Sequence, residues 1–334
     1  MQAVVLKRQP GQHLRPDDFE LCSVPSPSAL REGEVRLRTR CLSIDPYQRG
    51  LLDQTPMFGR RVMVGDTMAG RGIGEVIESR SGRFERGDMA MGEIGWVSEA
   101  VVHGDALSRL EGADESVSHA IGVLGIPGLT AYLGLDALGG VGEGDTLLVS
   151  SAAGAVGSTV VQLAKIYGAK VVGITSGTVK ASLVRDRLRA DAVIDRRQGA
   201  SLRQALQDVA PEGFSCFFDN VGEQTLSDGL ATMRPRGRAL LCGYIAGYEA
   251  SNSVASVETM RIVMRQRLEV RGFLVHDYAA RFAKAREALE DLLRAGKLIA
   301  LETVVEGLGR APEALCHLLA GRSAGKVMVK VSGA

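Results

Sequence analysis

No CxxC pair occurs anywhere in the chain, and its five cysteines, Cys22, Cys41, Cys216, Cys242 and Cys316, are odd in number and widely scattered. That pattern excludes a disulfide framework and a cysteine-built structural zinc site; reduced, mostly buried thiols are expected. An excess of one charge is missing too. Forty basic residues face 39 acidic ones, for a formal net charge of +1, and no Lys/Arg block is present to track a phosphate backbone. Nucleic acid is therefore not an expected partner. No segment offers the roughly 18 consecutive apolar residues that a membrane span requires. The opening residues, MQAVVLKRQPGQHLRPDD, are charged throughout and hold no apolar h-region. A soluble, cytoplasmic protein is the expectation. The five histidines, His13, His103, His119, His276 and His317, stand apart without triad or metal-ligand spacing. They are read as structural, with a cleft-side position open for His276.

What the chain does have is enough apolar content, 45% of 334 residues, to bury more than one core, so two domains are expected. Up to about residue 118, short alternating runs such as QAVVLKR, GEVRLRTRCLSI and GIGEVIES are punctuated by Gly and Pro; they predict a twisted, largely antiparallel β unit. The texture then changes. HAIGVLGIPGLTAYLGLDAL reads as helix, and strand-like TLLVS, KVVGIT, DAVID, CFFDNVG and GRALLCGY alternate with helix-like segments. Such alternation implies right-handed βαβ crossovers and a parallel, doubly wound α/β sheet. AARFAKAREALEDLLRAGKL is amphipathic, and a last helix leads to the strand KVMVKV, which is expected to return to the first unit. The resulting division is 1–120 with 300–334 in one domain and 121–299 in the other.

The loop SSAAGAVGS follows one of these strands and opens a helix. Read against G-x-G-x-x-G, it has Ala152 in the first place, Gly154 in the second and Gly157 in the third. The pattern suits a tight turn, backbone approach to a pyrophosphate, and close packing of helix on strand, with the helix N-terminus favouring the anion. An ordinary strand-to-helix turn is the alternative. An NAD enzyme places an acid about 20 residues on, against the ribose hydroxyls. Here the next strand ends VVGITSGTVK, with no Asp or Glu before Asp186. Ser176, Lys180 and Arg196 are present instead. A hydroxyl and two cations suit a 2'-phosphate, so NADP(H) is the expected cofactor, unless those cations are merely solvated surface charges.

PGLTAY, AAGAVGS, FFDNVG, LLCGYIAGY and AGKVMVK, in this order over most of the chain, resemble the medium-chain dehydrogenase/reductase superfamily. With DPYQRG near the start, the set is similar to its zinc-independent leukotriene B4 dehydrogenase and prostaglandin reductase branch, which includes alkenal double-bond and curcumin reductases. The resemblance implies a Rossmann-type cofactor domain plus a GroES-like catalytic domain. Zinc-dependent relatives carry a Cys and a His-Glu pair where this chain has Ser43 and Gly65, Asp66, Thr67. Without thiolate or imidazole, a catalytic zinc site loses its usual ligands. No metal is expected, and Asp66 is read as a turn or cap residue.

Carried over residue by residue, the resemblance implies cofactor contacts from Thr130, Gly154, Ala155, Val156, Gly157, Lys180, Asn220, Cys242, Gly243, Tyr244, Phe273, Leu274, Val275 and Ser323, to which the residue reading adds Ser176. The Phe273 to Val275 stretch is taken as strand. Arg196 stands where the family often has Tyr, which keeps a phosphate partner of another type. Tyr248 matches the tyrosine placed at the substrate carbonyl. Tyr47 matches a residue at the mouth of the substrate cleft, with a packing aromatic as the alternative. Met57, Phe58 and Met63 would make one pocket wall apolar, or else belong to the core. The implied activity is NADPH-dependent reduction of the C=C bond of enones or alkenals, with quinone reduction as the alternative; the least expected reading is non-catalytic NADPH binding. A homodimer formed through strands near Leu240 and Val270 is implied by analogy.

Overall fold

In the first unit, alternation of apolar and charged residues sets each strand's faces. Strand β1 (Gln2–Leu6) pairs antiparallel with β2 (Phe19–Ser23). In β3 (Glu34–Ile44), Leu37, Thr39 and Cys41 are buried while Arg38 and Arg40 between them are exposed, the two-residue period of a half-buried strand. Antiparallel partners β4 (Arg71–Ser79) and β6 (Glu99–His103) flank β3, and β5 (Met89–Glu93) and β7 (Ser108–Leu110) follow outward from β4. The core of this unit centres on Trp96, Leu6, Leu37, Leu42 and Met68, with Phe19 against Trp96 at 5.8 Å between ring centroids. A short helix, α1 (Tyr47–Gly50), follows β3.

The computed structural model describes residues 1–334 apart from 27, 28, 55, 57, 58, 112–116, 199, 200, 249–256 and 332–334. It divides the chain into two compact units, Met1–Ile121 with Glu302–Ser323 and Val327–Ala334, and Gly122–Leu301 with Ala324–Lys326. The second unit is built on six parallel strands, β8 (Thr146–Val149), β9 (Lys170–Thr175), β10 (Ala192–Asp195), β11 (Phe214–Asp219), β12 (Met233–Leu241) and β13 (Glu269–Gly272). Their order across the sheet is β10-β9-β8-β11-β12-β13, the 3-2-1-4-5-6 order of a doubly wound dinucleotide fold.

Both faces of this sheet are covered, which is why its strands read as unbroken apolar runs. Leu147, Val149, Cys216 and Phe218 face one layer with Leu129, Val160 and Leu289, carried by α2 (Ile126–Ala137), α3 (Ala155–Ile166) and a long helix at Phe282–Arg294. Leu148, Phe214 and Phe217 face the other layer with Leu206, Leu230 and Ile262. Between β9 and β10 lies α4 (Thr178–Ser182), continued by a π-type turn at Leu183–Arg187. The chain then returns to the first unit: β14 (Glu302–Glu306) and β15 (Lys326–Lys330) extend its sheet, with β15 antiparallel to β3. Among the described residues no helix is long and apolar enough to cross a membrane.

Three sequence expectations need correction. The run HAIGVLGIPGLTAYLGLDAL is not one helix: a 3-10 turn at Ser118–Ile121 precedes α2, which starts at Ile126 with Pro127 in its first turn, where proline's missing N–H costs nothing. Phe273, Leu274 and Val275 are not strand. The last ladder pair is Leu241 with Gly272; β12 ends there, so beyond a final Phe273 N–H to Leu241 O bond no partner remains, and Val275 opens a 3-10 turn. Of the two strands expected at a sheet edge, only that of Val270 is one; Leu240 lies on β12, between β11 and β13.

Candidate active site

The strand order reverses at β8, and ligands in such sheets bind beyond the carboxyl ends of the strands at that point. There β8 gives way to residues 150–154 and then α3. Gly154 has φ −79°, open to any residue, whereas Ser151, at φ 49°, takes the left-handed turn. The tight turn is thus made one residue before the expected Ala152. Gly157 is required by space: a Cβ there would lie 2.2 Å from the Ser151 carbonyl oxygen and 3.0 Å from the Ala152 Cα, so only glycine lets α3 sit this close to the loop. The amides of Ala155, Val156 and Gly157 are the first of the helix and lack intrahelical acceptors, with the positive end of the helix dipole behind them. The Gly325 N–H, 2.7 Å from the Ala153 oxygen, braces the loop from outside.

A buried network joins the ends of β8, β11 and β12. The Ser150 hydroxyl donates to Asp219 Oδ1 at 2.6 Å and accepts from the Asn220 N–H at 2.8 Å, while Asn220 Nδ2 donates to the Ser150 carbonyl at 2.8 Å. Asp219 also accepts from the Gly222 and Val221 amides, and its backbone oxygen accepts from Cys242 and Gly243. Ser150 and Asp219 were not singled out by sequence reasoning, since neither matches a ligand-contact position; the network gives Asn220, Cys242 and Gly243 a shared scaffold. Burial holds the Asp219 carboxyl above the usual range, against the three donors that favour its ionised form. Because the folded value is raised, ionised Asp219 weakens the fold as pH climbs through it. Ser150→Ala removes a donor to that anion and leaves the Asn220 amide unpaired. It is expected to lower unfolding stability by about 1–3 kcal/mol near neutral pH, with the deficit shrinking as pH falls through the folded Asp219 value; urea titrations across pH check both.

Positive charge gathers at the ends of β9 and β10. Gly177, at φ 97°, turns the chain into α4, and its N–H donates to Asp195 Oδ1 at 2.7 Å; that same oxygen accepts from the Arg197 amide at 3.1 Å. Asp195 thereby ties the two strand ends together and is held below the usual carboxylate range, chiefly by the Gly177 N–H. Lys180 is pushed below its ordinary value, first by burial, then by the charges of Arg197 and Arg196. Three cations close enough to oppose one another's charge, with Asp195 as the one carboxylate that offsets them in part, leave a net positive site. Arg197 was missed because the sequence reading stopped at the first cation after DAVID. Ser176 is buried beside this cluster.

Thr130 is buried on α2. Tyr248 closes a 3-10 turn at Ile245–Tyr248, and Tyr244 just before it packs its ring on Gly222 and Gly247, where any Cβ would collide with it, and bonds its hydroxyl to Glu223. Burial pushes the Cys242 thiol up to about 12, with a smaller contribution from Asp219. Phe273 meets Tyr278 at 5.2 Å between centroids. Ser323 and Tyr47 belong to the other unit. Tyr47 packs on that unit's core, and its phenol is held above the ordinary range by burial and by Glu93 and Asp45, with the Arg71 backbone as hydrogen-bond partner. Met57 and Phe58 lie outside the described residues, and Met63 is exposed rather than core. The Ser43 hydroxyl is bonded to Asp45; Asp66 closes a turn by accepting from the Met63 amide at 3.0 Å. Hydroxyl and turn carboxylate are not the donor set of a catalytic zinc, and among the described residues no three His, Cys, Asp or Glu side chains are grouped to hold a metal ion.

Residues 2–110 match the family described as the N-terminal domain of oxidoreductase, and residues 155–292 the family described as zinc-binding dehydrogenase. The chain is 36% identical over 319 residues to prostaglandin reductase 1 of Bos taurus, covering 94% of each protein. It is 32% identical over 333 residues to the NADP(+)-dependent 2-alkenal reductase of Nicotiana tabacum, covering 98% of this chain and 97% of that one. The crystal structure of CurA from Vibrio vulnificus in complex with NADPH superposes with a TM-score of 0.93 at 31% identity, over the full length of both chains. Fold, strand order and this similarity along almost the whole chain agree: it belongs to the medium-chain dehydrogenase/reductase superfamily, with the prostaglandin and 2-alkenal reductases among its relatives.

Proposed function

We propose that this protein is an NADPH-dependent reductase of the C=C bond of α,β-unsaturated ketones and aldehydes. The observation that carries the reading is the convergence of Lys180, Arg196 and Arg197 where an adenosine ribose would lie, which suits a 2'-phosphate, together with relatives named for NADP-dependent alkenal and prostaglandin reduction. Ala155, Val156 and Gly157 offer amides to the pyrophosphate. Thr130, Asn220, Cys242, Gly243, Tyr244, Phe273, Leu274, Val275 and Ser323 would supply the further contacts to the cofactor. Bound NADPH supplies the hydride that reaches the substrate β-carbon. Negative charge then develops on the substrate carbonyl oxygen, and the Tyr248 hydroxyl donates a hydrogen bond to it; the α-carbon takes up a proton afterwards. Tyr47 contributes to substrate binding. No step needs a metal, the working unit is a homodimer, and the compartment is the cytoplasm.

A preorganised donor aimed at a developing oxyanion acts on the transition state more than on the ground state. Tyr248→Phe is therefore expected to lower kcat on a 2-alkenal by about 10- to 100-fold while leaving the KM for NADPH nearly unchanged. Unaltered turnover would remove Tyr248 from the mechanism. NADPH oxidation measured over short alkenals, aryl enones and quinones tests the reaction class: faster turnover of quinones than of every enone would overturn it.

A further inference from the structure

A second cationic cluster in the cofactor unit lines a cavity that includes none of the proposed cofactor contacts. A cavity of about 360 Å³ is walled by the end of α3, the turn after Arg187, and the segment after Gly296. Its lining carries Lys165, Arg187, Arg189 and Lys297 and no carboxylate. Lys165 is neutralised by Asp191 at 2.8 Å. The side chains of Arg187, Arg189 and Lys297 have no hydrogen-bond or ion-pair partner among the described residues. All three are exposed at the rim of one hollow.

The walls are fixed. Buried Gln162 accepts from the Ile299 amide at 2.9 Å and donates to the Ile299 oxygen at 3.2 Å, clipping that segment to α3. Arg189 is held at φ 63°, an uncommon conformation for a residue with a Cβ, between buried Leu188 and Ala190. Ile166, 37% exposed, and Ile299 add an apolar surface. The C-terminal end of α3 opposes an anion, with about half an elementary charge of negative sign. Three full cations outweigh it.

We propose that this cavity binds an organic phosphate monoester with a small apolar body. A phosphate dianion is attracted by the net positive charge and suits the fork of a guanidinium, the apolar body would rest on Ile166 and Ile299, and the volume is that of a small-ligand pocket.

The test is calorimetric titration of phenyl phosphate into protein saturated with NADP+, so that the cluster at Lys180 is occupied. Saturable binding is expected at one site, at least about fivefold tighter than inorganic phosphate, and weakened about tenfold or more in the Arg187→Gln, Arg189→Gln, Lys297→Gln variant. That variant should keep its KM for NADPH, and Arg185→Gln, outside the cavity, should bind as wild type. Non-saturable binding, or equal binding by the triple variant, would overturn the site. Equal affinity for inorganic phosphate would overturn the apolar body.

Discussion

Replacing Lys180, Arg196 and Arg197 together with alanine is expected to raise the KM for NADPH about 100-fold and to leave the KM for NADH within about twofold of its starting value. Hydrogen bonds to charged groups contribute about 1.5–3 kcal/mol each when well shielded. Arg196 and Arg197 are exposed and Lys180 half-buried, so water and salt screening reduce each to nearer 1 kcal/mol. Three such terms give the stated factor, since about 1.4 kcal/mol is tenfold. The same screening predicts that the wild-type KM for NADPH rises with added salt more steeply than that for NADH. Lys180 is opposed by Arg197 and Arg196 and attracted by Asp195, so removal of the three cations is expected to change the stability of the cofactor-free protein little. An unchanged melting temperature alongside the lost preference separates weakened recognition from unfolding. An unchanged NADPH to NADH ratio would sink the 2'-phosphate assignment.

Gly157→Ala is expected to disable cofactor binding and weaken the fold at once. The added Cβ would stand 2.2 Å from the Ser151 oxygen and 2.9 Å from its carbonyl carbon, and neither is a side-chain tip that can swing aside. Helix α3 must move away from the loop, opening the interior around Val160, Val161 and Ala152. Overpacking of this kind costs about 1–3 kcal/mol, which lowers the melting temperature of a unit this size by about 3–10 °C. The moved helix also carries the amides offered to the pyrophosphate, so NADPH affinity falls with it. Calorimetric melting and cofactor titration on the same preparation measure the two effects. A variant that melts and binds like wild type would show that the loop and helix are not in close register.

The parallel order of the second unit was legible because each strand is a short apolar run followed by a helix-length segment, and TLLV and SCFF could hardly be anything but strands covered on both faces. The cation cluster was legible in part. Lys180 follows a strand end with no acid before Asp186, and Arg196 is the first cation after DAVID, but Arg197 is recognisable only once Asp195 is seen to bond its amide and the Gly177 amide together. The Ser150 and Asp219 pair was out of reach, because 69 residues separate two side chains that meet only when β8 and β11 lie side by side. The end of β13 was misread because ladder pairing is non-local: Phe273 to Val275 look like strand, but β12 has already ended. At Tyr47 the sequence left two readings, cleft mouth and packing aromatic, because a motif position does not show how far the phenol is buried; the structure packs its ring on the core of its unit.

The protonation of Cys242 has a chemical consequence. With its value pushed up to about 12, a thiol at neutral pH is ionised in about one molecule in 10⁵, against a few per cent at an ordinary value near 8.5. Conjugate addition to an electrophilic β-carbon is carried out by thiolates, so the sulfur at the end of β12 is almost inert toward the very compounds the protein is proposed to consume. Desolvation of this sulfur, just beyond the end of β12, thus favours the thiol over the thiolate.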